Sequence, residues 1–173
     1  MKPSSSGADS DARFERLLEE LGPALRRLAA SYEPVASRRD DLFQEIALAL
    51  WQGLRRFRGD CSLRTFAFRI AHNRAVTYAW HRRRTAASDL AEAERVPDPR
   101  EDAASTMQRT QARGKLYAAI RSLPIVHRQV LTLTLEDLSQ AEIGAVLGVS
   151  ENAVAVRLTR ARKALRVALG VST

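Results

Sequence analysis

The 173-residue chain has one cysteine, Cys61, so it can form no internal disulfide, and a secreted, disulfide-stapled scaffold is excluded. Its three histidines (His72, His81 and His127) are scattered, and with a single thiol they cannot assemble a zinc site. Long apolar runs are missing as well. Glycine aside, the longest is Ile46 to Trp51, far short of the about 20 residues that cross a bilayer. The stretch from Met1 to Gly7 has no apolar segment of the kind a signal peptide carries. A cytoplasmic protein with no direct membrane insertion is expected. Neither glycine-rich phosphate cradle, G-x-x-x-x-G-K-S/T or G-x-G-x-x-G, occurs, and there is no nucleophile–base arrangement. Asp40, Asp41 and Glu45 could in principle hold a metal, but the start of a helix explains them more simply. No enzyme, metal or cofactor is expected.

What the chain does have is positive charge concentrated in one place. The net charge is +8 and the isoelectric point about 10.7, which points to an anionic partner. Residues 1–50 hold 7 basic and 9 acidic side chains, and residues 85–173 hold 12 and 10. Residues 51–84 hold nine arginines against Asp60 alone, a local net of +8. The same block carries six of the ten aromatic residues: Trp51, Phe57, Phe66, Phe68, Tyr78 and Trp80. Arginine interleaved with rings suits single-stranded nucleic acid, whose backbone needs charge and whose splayed bases need stacking surfaces. Phe66, Ile70 and Tyr78, at helical spacing, read instead as core. With 45% hydrophobic residues, the chain can bury one modest domain or two small ones.

The segment LSQAEIGAVLGVSENAVAVRLTRARKAL (138–165) carries a second signal. Ser139 and Glu142 form an S-x-x-E capping box at a helix start, and Ile143, Val146 and Leu147 then share one face. Gly148 sits where a left-handed residue ends that helix, and Ser150 can cap the next. There Val154, Leu158, Ala161 and Leu165 make a single apolar stripe, while Asn152, Arg157, Arg160 and Arg162 project away from it. Two helices joined by a tight glycine turn outline a helix-turn-helix, whose second helix enters the major groove. Charge near a helix end also arises in ordinary solvated helices, so the stretch alone leaves both readings open.

The rest of the pattern is helical, and the expected class is all-α, with two small helical domains joined by a flexible linker. Phe14, Leu17, Leu18 and Leu21 make one face, and a break is expected at Gly22-Pro23. Leu42, Ile46, Leu50 and Leu54 mark a long helix opened by Asp40-Asp41, and Ser62 can cap another running to about His81. Residues 84–112, with Val-Pro-Asp-Pro and few large apolar side chains, read as linker. Ser122-Leu-Pro124 reads as a cap with proline in a first turn. Val130 to Leu135 alternates like a strand, but its helical flanks favour helix. The expected organisation is a disordered tail over 1–12, one domain over 13–83, linker over 84–112 and a second domain over 113–168.

The segment DDLFQEIALALWQGLRRFRGDCSLRTFAFRIAHNRAV (40–76) resembles region 2 of bacterial sigma-70 family factors, in particular the extracytoplasmic-function (ECF) group. The D-L-x-Q-E core, the F-R-G-D loop, the L/F-x-T-W/F step and the R-I-A-x-N run follow in order. The segment from Ser122 to Leu165 resembles region 4 of the same group. The resemblance implies a sigma factor that binds core RNA polymerase and directs promoter-specific initiation, with an anti-sigma factor as a further partner. It assigns Asp41, Gln44 and Glu45 to the polymerase-docking helix. Phe57, Arg58, Asp60, Phe66, Arg69, Asn73 and Arg74 match the part that melts the −10 element and captures a flipped base. Ser150, Asn152, Arg157, Thr159, Arg160 and Arg162 fall on the −35 element. Phe66 stands where the family usually has Trp, and Ala155-Val156 replaces a pair that is usually basic and polar. Asn152, Glu151 and Thr159 are the residues left to compensate in the −35 readout. The rival reading is a free-standing helix-turn-helix regulator that binds duplex DNA without polymerase.

Overall fold

The computed structural model describes residues 5–85 and 105–171. Those residues form seven helices: α1 (Ser5–Ala30), α2 (Ala36–Leu54), α3 (Leu63–Thr85), α4 (Ser105–Ser122), α5 (Ile125–Leu135), α6 (Gln140–Leu147) and α7 (Glu151–Ala168). The all-α class is as expected. Helices α1 to α3 pack pairwise against one another. Leu42, Ile46, Leu50 and Leu54 of α2 recur every fourth residue and are all buried. Opposite them, α3 offers Ala67, Phe68, Ala71 and Ala75, and its small side chains let the helices approach closely. Helices α4 to α7 enclose a second set, including Ile120, Val130, Leu133, Ile143, Val154 and Leu158. Most of the buried side chains of both sets, Val130, Leu133, Ile143, Val154 and Leu158 among them, join in one continuous cluster.

The expected break at Gly22-Pro23 does not occur, because α1 runs unbroken through Pro23. An interior proline costs a helix about 3 kcal/mol. Here Leu17, Leu21, Leu25 and Leu28 keep one phase across it and are all buried, so packing outweighs the local defect. Helix α1 also begins at Ser5, inside the stretch expected to be a disordered tail. Asp11 accepts a 2.8 Å bond from the Trp51 indole nitrogen, which ties that stretch to α2.

Helix α2 opens at Ala36, one turn before Asp40-Asp41. Its entry is set by Glu33, whose carboxylate accepts from the Val35 amide at 2.8 Å. Ser62 caps α3 as expected, accepting from the Thr65 amide at 3.0 Å. Pro124 is the N-cap of α5 rather than a first-turn residue, and Ser122 instead donates back to the Ala119 carbonyl. The segment from Val130 to Leu135 is helical. The end of the expected linker is helical too, since α4 starts at Ser105. Residues 86–104 lie outside the described residues.

The helix-turn-helix forms as the sequence dictates. Ser139 Oγ accepts from the Glu142 amide at 3.2 Å, and Glu142 accepts from the Ser139 amide at 2.8 Å. The Ser139 amide, joined by the Ser139 hydroxyl donating at 2.9 Å, holds the Glu142 carboxyl below the usual range. Gly148 takes a left-handed φ of 68°, and Ser150 accepts from the Ala153 amide at 3.2 Å. Gly144 fills a need the sequence did not reveal, because a Cβ there would lie 2.7 Å from the Val149 carbonyl oxygen.

Candidate nucleic-acid interface

The acidic face of α2 stands clear. Asp41, Gln44 and Glu45 are exposed, while the adjoining Leu42 and Ile46 are fully buried. This is the geometry i, i+3, i+4 spacing requires.

Next to that face, α2 and α3 border an open cleft of about 890 Å³. Arg55, Arg56 and Arg74 line it, together with Gln52, Asn73 and Thr77. The exposed Asn73 carboxamide can both donate and accept, and the surrounding guanidiniums favour an anionic backbone. The loop into α3 turns at Gly59, with φ 82°, leaving Arg58 and Asp60 exposed. The Phe57 and Phe66 rings sit 4.6 Å apart, tilted by 45°.

The six aromatics of the basic block have separate fates. Phe68 is fully buried and belongs to the core. Trp51 is bonded to Asp11, and the Tyr78 hydroxyl donates to Glu33 at 2.8 Å. Burial and that bond push the Tyr78 phenol up. Phe57 and Phe66 are half-buried against each other. Only Trp80 among the six is largely open, at 57% exposure.

On α7, Asn152, Arg160 and Arg162 are exposed. Ser150 has its oxygen engaged in the cap. The Thr159 hydroxyl donates back to the Ala155 carbonyl at 3.0 Å. Arg157 is half-buried and lines a small cleft of about 280 Å³ with His72, Asn73, Val76 and Thr77 of α3. The structure therefore brings a residue assigned to the −35 element beside one assigned to the −10 element.

That apposition is held by arginines to which the sequence assigned no such role. Arg27 of α1 grips Glu136, at the end of α5, through two nitrogens, with contacts of 2.6 to 3.1 Å. The Glu136 side chain is only 3% exposed, and its bond holds the Arg27 guanidinium above its ordinary range. Arg121 of α4 donates to the Ala30 carbonyl at 2.7 Å. Arg64 and Arg69 of α3 donate to the carbonyls of Glu136 and Ala145, the latter at 2.9 Å. Ala30, Glu136 and Ala145 lie at the carboxyl ends of α1, α5 and α6, where backbone acceptors lack helical partners. Each of these three helix ends is thus capped by an arginine from the other half of the molecule. Arg69, expected on DNA, is one of these caps. The acids Glu136 and Asp137, set between Leu135 and Leu138, were the one available hint of a buried partner. At the same boundary, burial lowers His72 to about 4, with the Tyr32 hydroxyl 3.4 Å from its Nδ1.

Two family models match the chain: Sigma-70 region 2 over residues 17–86 and Sigma-70, region 4, over residues 113–165. The chain belongs to the sigma-70 family. It is 31% identical over 164 residues to the RNA polymerase sigma factor CnrH of Cupriavidus metallidurans, covering 90% of this chain and 86% of that one. It is 32% identical over 138 residues to the ECF RNA polymerase sigma-E factor of Escherichia coli, covering 72% and 70%. Among solved structures, the sigma factor RpoE in complex with the anti-sigma factor NepR, from Bartonella quintana, shares the fold. It has a TM-score of 0.69 and 21% identity, over 93% of this chain and 99% of that one. This ECF sigma factor binds core RNA polymerase and directs promoter-specific initiation. The region 2 match takes in α2, α3 and the second half of α1, and the region 4 match takes in α5, α6 and most of α4 and α7.

Proposed function

We propose that three surfaces of this sigma factor divide the work. Asp41, Gln44 and Glu45 dock core RNA polymerase. The α2–α3 cleft, with Phe57, Arg58, Asp60, Phe66, Asn73 and Arg74, melts the −10 element, and Asn73 captures an unstacked base. Helix α7 reads the −35 element through Asn152, Thr159, Arg160 and Arg162 on its open side and Arg157 at the boundary with α3, and Ser150 serves it as the helix cap. Asn73 on the rim of an arginine-lined cleft is the observation that carries the reading. Unstacking a base costs a few kcal/mol, and stacking returns about 1–3 kcal/mol per base.

Arg69 and Arg157 face across the boundary between regions 2 and 4. Reading two promoter elements therefore requires the regions to part. The 19 residues 86–104 set an upper reach of about 65 Å for that separation. A partner that holds the regions together would keep the factor idle, and a dedicated anti-sigma factor fits that role, as the complex of the Bartonella quintana protein suggests. Among the described residues no helix is long and apolar enough to cross a membrane. Because RNA polymerase is its partner, the reading places the protein's action in the cytoplasm and in regulation rather than catalysis.

The test uses two variants. Asp41→Lys with Glu45→Lys should stay folded yet lose the ability to compete for core polymerase. Asn73→Ala should relax base preference in the −10 element and slow strand opening, with −35 preference unchanged. A folded double variant that still competes, or an unchanged −10 preference across a randomised promoter library, would overturn the respective assignment.

A further inference from the structure

The −35 face of α7 is not uniformly polar. Successive helical positions turn by about 100°, so Asn152, Val156, Thr159, Arg160 and Lys163 share one outward stripe. Val154, Leu158 and Ala161 lie on the opposite side and are buried. Val156 occupies the middle of the outward stripe and is 44% exposed. Thr159 beside it has its hydroxyl hydrogen tied to the Ala155 carbonyl at 3.0 Å. It can offer a groove only its methyl group and acceptor lone pairs. The centre of the recognition face is therefore an apolar strip, with a carboxamide on one side and a guanidinium and an ammonium on the other.

We infer that Val156, assisted by the Thr159 methyl, reads the 5-methyl group of a thymine in the −35 element. The inference rests on the reading of α7 as the −35 helix. Thymine is the one base with an apolar group on its major-groove edge. A valine pressed against a G·C pair would instead strand donors and acceptors without partners. Asn152 and Arg160 each lie about 6 Å along the helix axis from Val156. They can meet polar edges about two base pairs away on either side, adenine suiting the amide and guanine the arginine.

The test uses holoenzyme assembled from the full chain and core polymerase. A duplex library randomised over the −35 element first defines the preferred sequence. Each selected thymine is then replaced by deoxyuridine, which removes only the methyl group. Deoxyuridine at one or two adjacent positions should weaken binding about fourfold per methyl. Val156→Ser should bind the thymine and deoxyuridine duplexes equally and lose the thymine preference in the selection. If no thymine is selected, or if deoxyuridine is tolerated everywhere while Arg160→Ala still weakens −35 use, the methyl contact is wrong and the −35 assignment stands. If Arg160→Ala and Arg162→Ala also leave the −35 selection unchanged, α7 does not read this element and the inference falls with it.

Discussion

Regions 2 and 4 of this sigma factor are both small helical units, yet their helix ends are secured differently. In region 4, the turn between α6 and α7 is fixed by neighbours: Ser139 with Glu142, Gly148, and Ser150 with Ala153. In region 2, α2 has no side-chain cap at Val35, and its entry depends on Glu33, which is 1% exposed. Glu33 accepts from the Val35 amide at 2.8 Å and from the Tyr78 hydroxyl at 2.8 Å, with the Arg82 guanidinium 3.5 Å away. The α6–α7 turn is built from bonds three residues apart, whereas the entry to α2 adds to its local bond at Val35 one that spans 45 positions. Local bonds survive when a helix is considered alone, and long-range bonds exist only after packing.

The sharpest way to break this contrast is at Glu33. Glu33→Ala strands the Tyr78 hydroxyl and the Val35 amide, and should destabilise region 2 by about 3 kcal/mol. Hydrogen exchange should show α2 and α3 loosened while α6 and α7 keep their protection. Equal loosening of both regions would mean that they unfold as one body. The reciprocal change is Gly144→Ala, whose Cβ would meet the Val149 carbonyl oxygen at 2.7 Å. A backbone atom has little room to retreat, so a loss of about 2–3 kcal/mol is expected, confined to region 4. Thermal unfolding with probes in each region would check it.

Two smaller effects address the boundary. Arg27→Ala removes all three contacts to the buried Glu136 carboxylate. It should shift the balance toward separated regions by about 2 kcal/mol, read as a larger radius of gyration in solution scattering. An unchanged radius would show that the carbonyl caps alone hold the regions together. His72 supplies the last. Its pKa is lowered by burial to about 4, so between the ordinary value near 6.5 and pH 4 the unfolded chain takes up a proton that the fold excludes. Stability is therefore full above pH 6.5 and falls on acidification, by about 1–2 kcal/mol between pH 7 and 5. Tyr32, Arg128 and Arg157 lie near this site, and a positive imidazole would add to two existing guanidiniums. His72→Phe should remove this part of the pH dependence in a melting series.

The difference between the units also explains what the sequence disclosed. The helix-turn-helix was legible because Ser139, Glu142, Gly148 and Ser150 act within a few residues of one another. The acidic face of α2 was legible because burial of Leu42 and Ile46 follows from helical period alone. The unbroken α1 was not, since Pro23 argues locally for a stop and only the shared burial of Leu17, Leu21, Leu25 and Leu28 argues against it. The start of α2 was missed for the same reason, its determinant Glu33 being partnered by Tyr78 and Arg82. Nor could spacing separate Phe68, a core ring, from Trp80, an open one. The arginine caps had no local signature at all.

Those caps carry one more consequence. Arg64, Arg69 and Arg121 each sit on a carbonyl oxygen through one nitrogen, and a guanidinium anchored there keeps its charge but loses the freedom to follow a phosphate. Each phosphate neutralised would release condensed counterions, steepening the dependence of binding on salt. The closed protein should accordingly show a shallow salt slope on random duplex DNA, shallower than its +8 net charge would suggest. When the regions part, water can take over the freed carbonyls at modest cost, and the released arginines become available to DNA. Opening therefore changes the effective ionic character of the molecule without altering its formal charge.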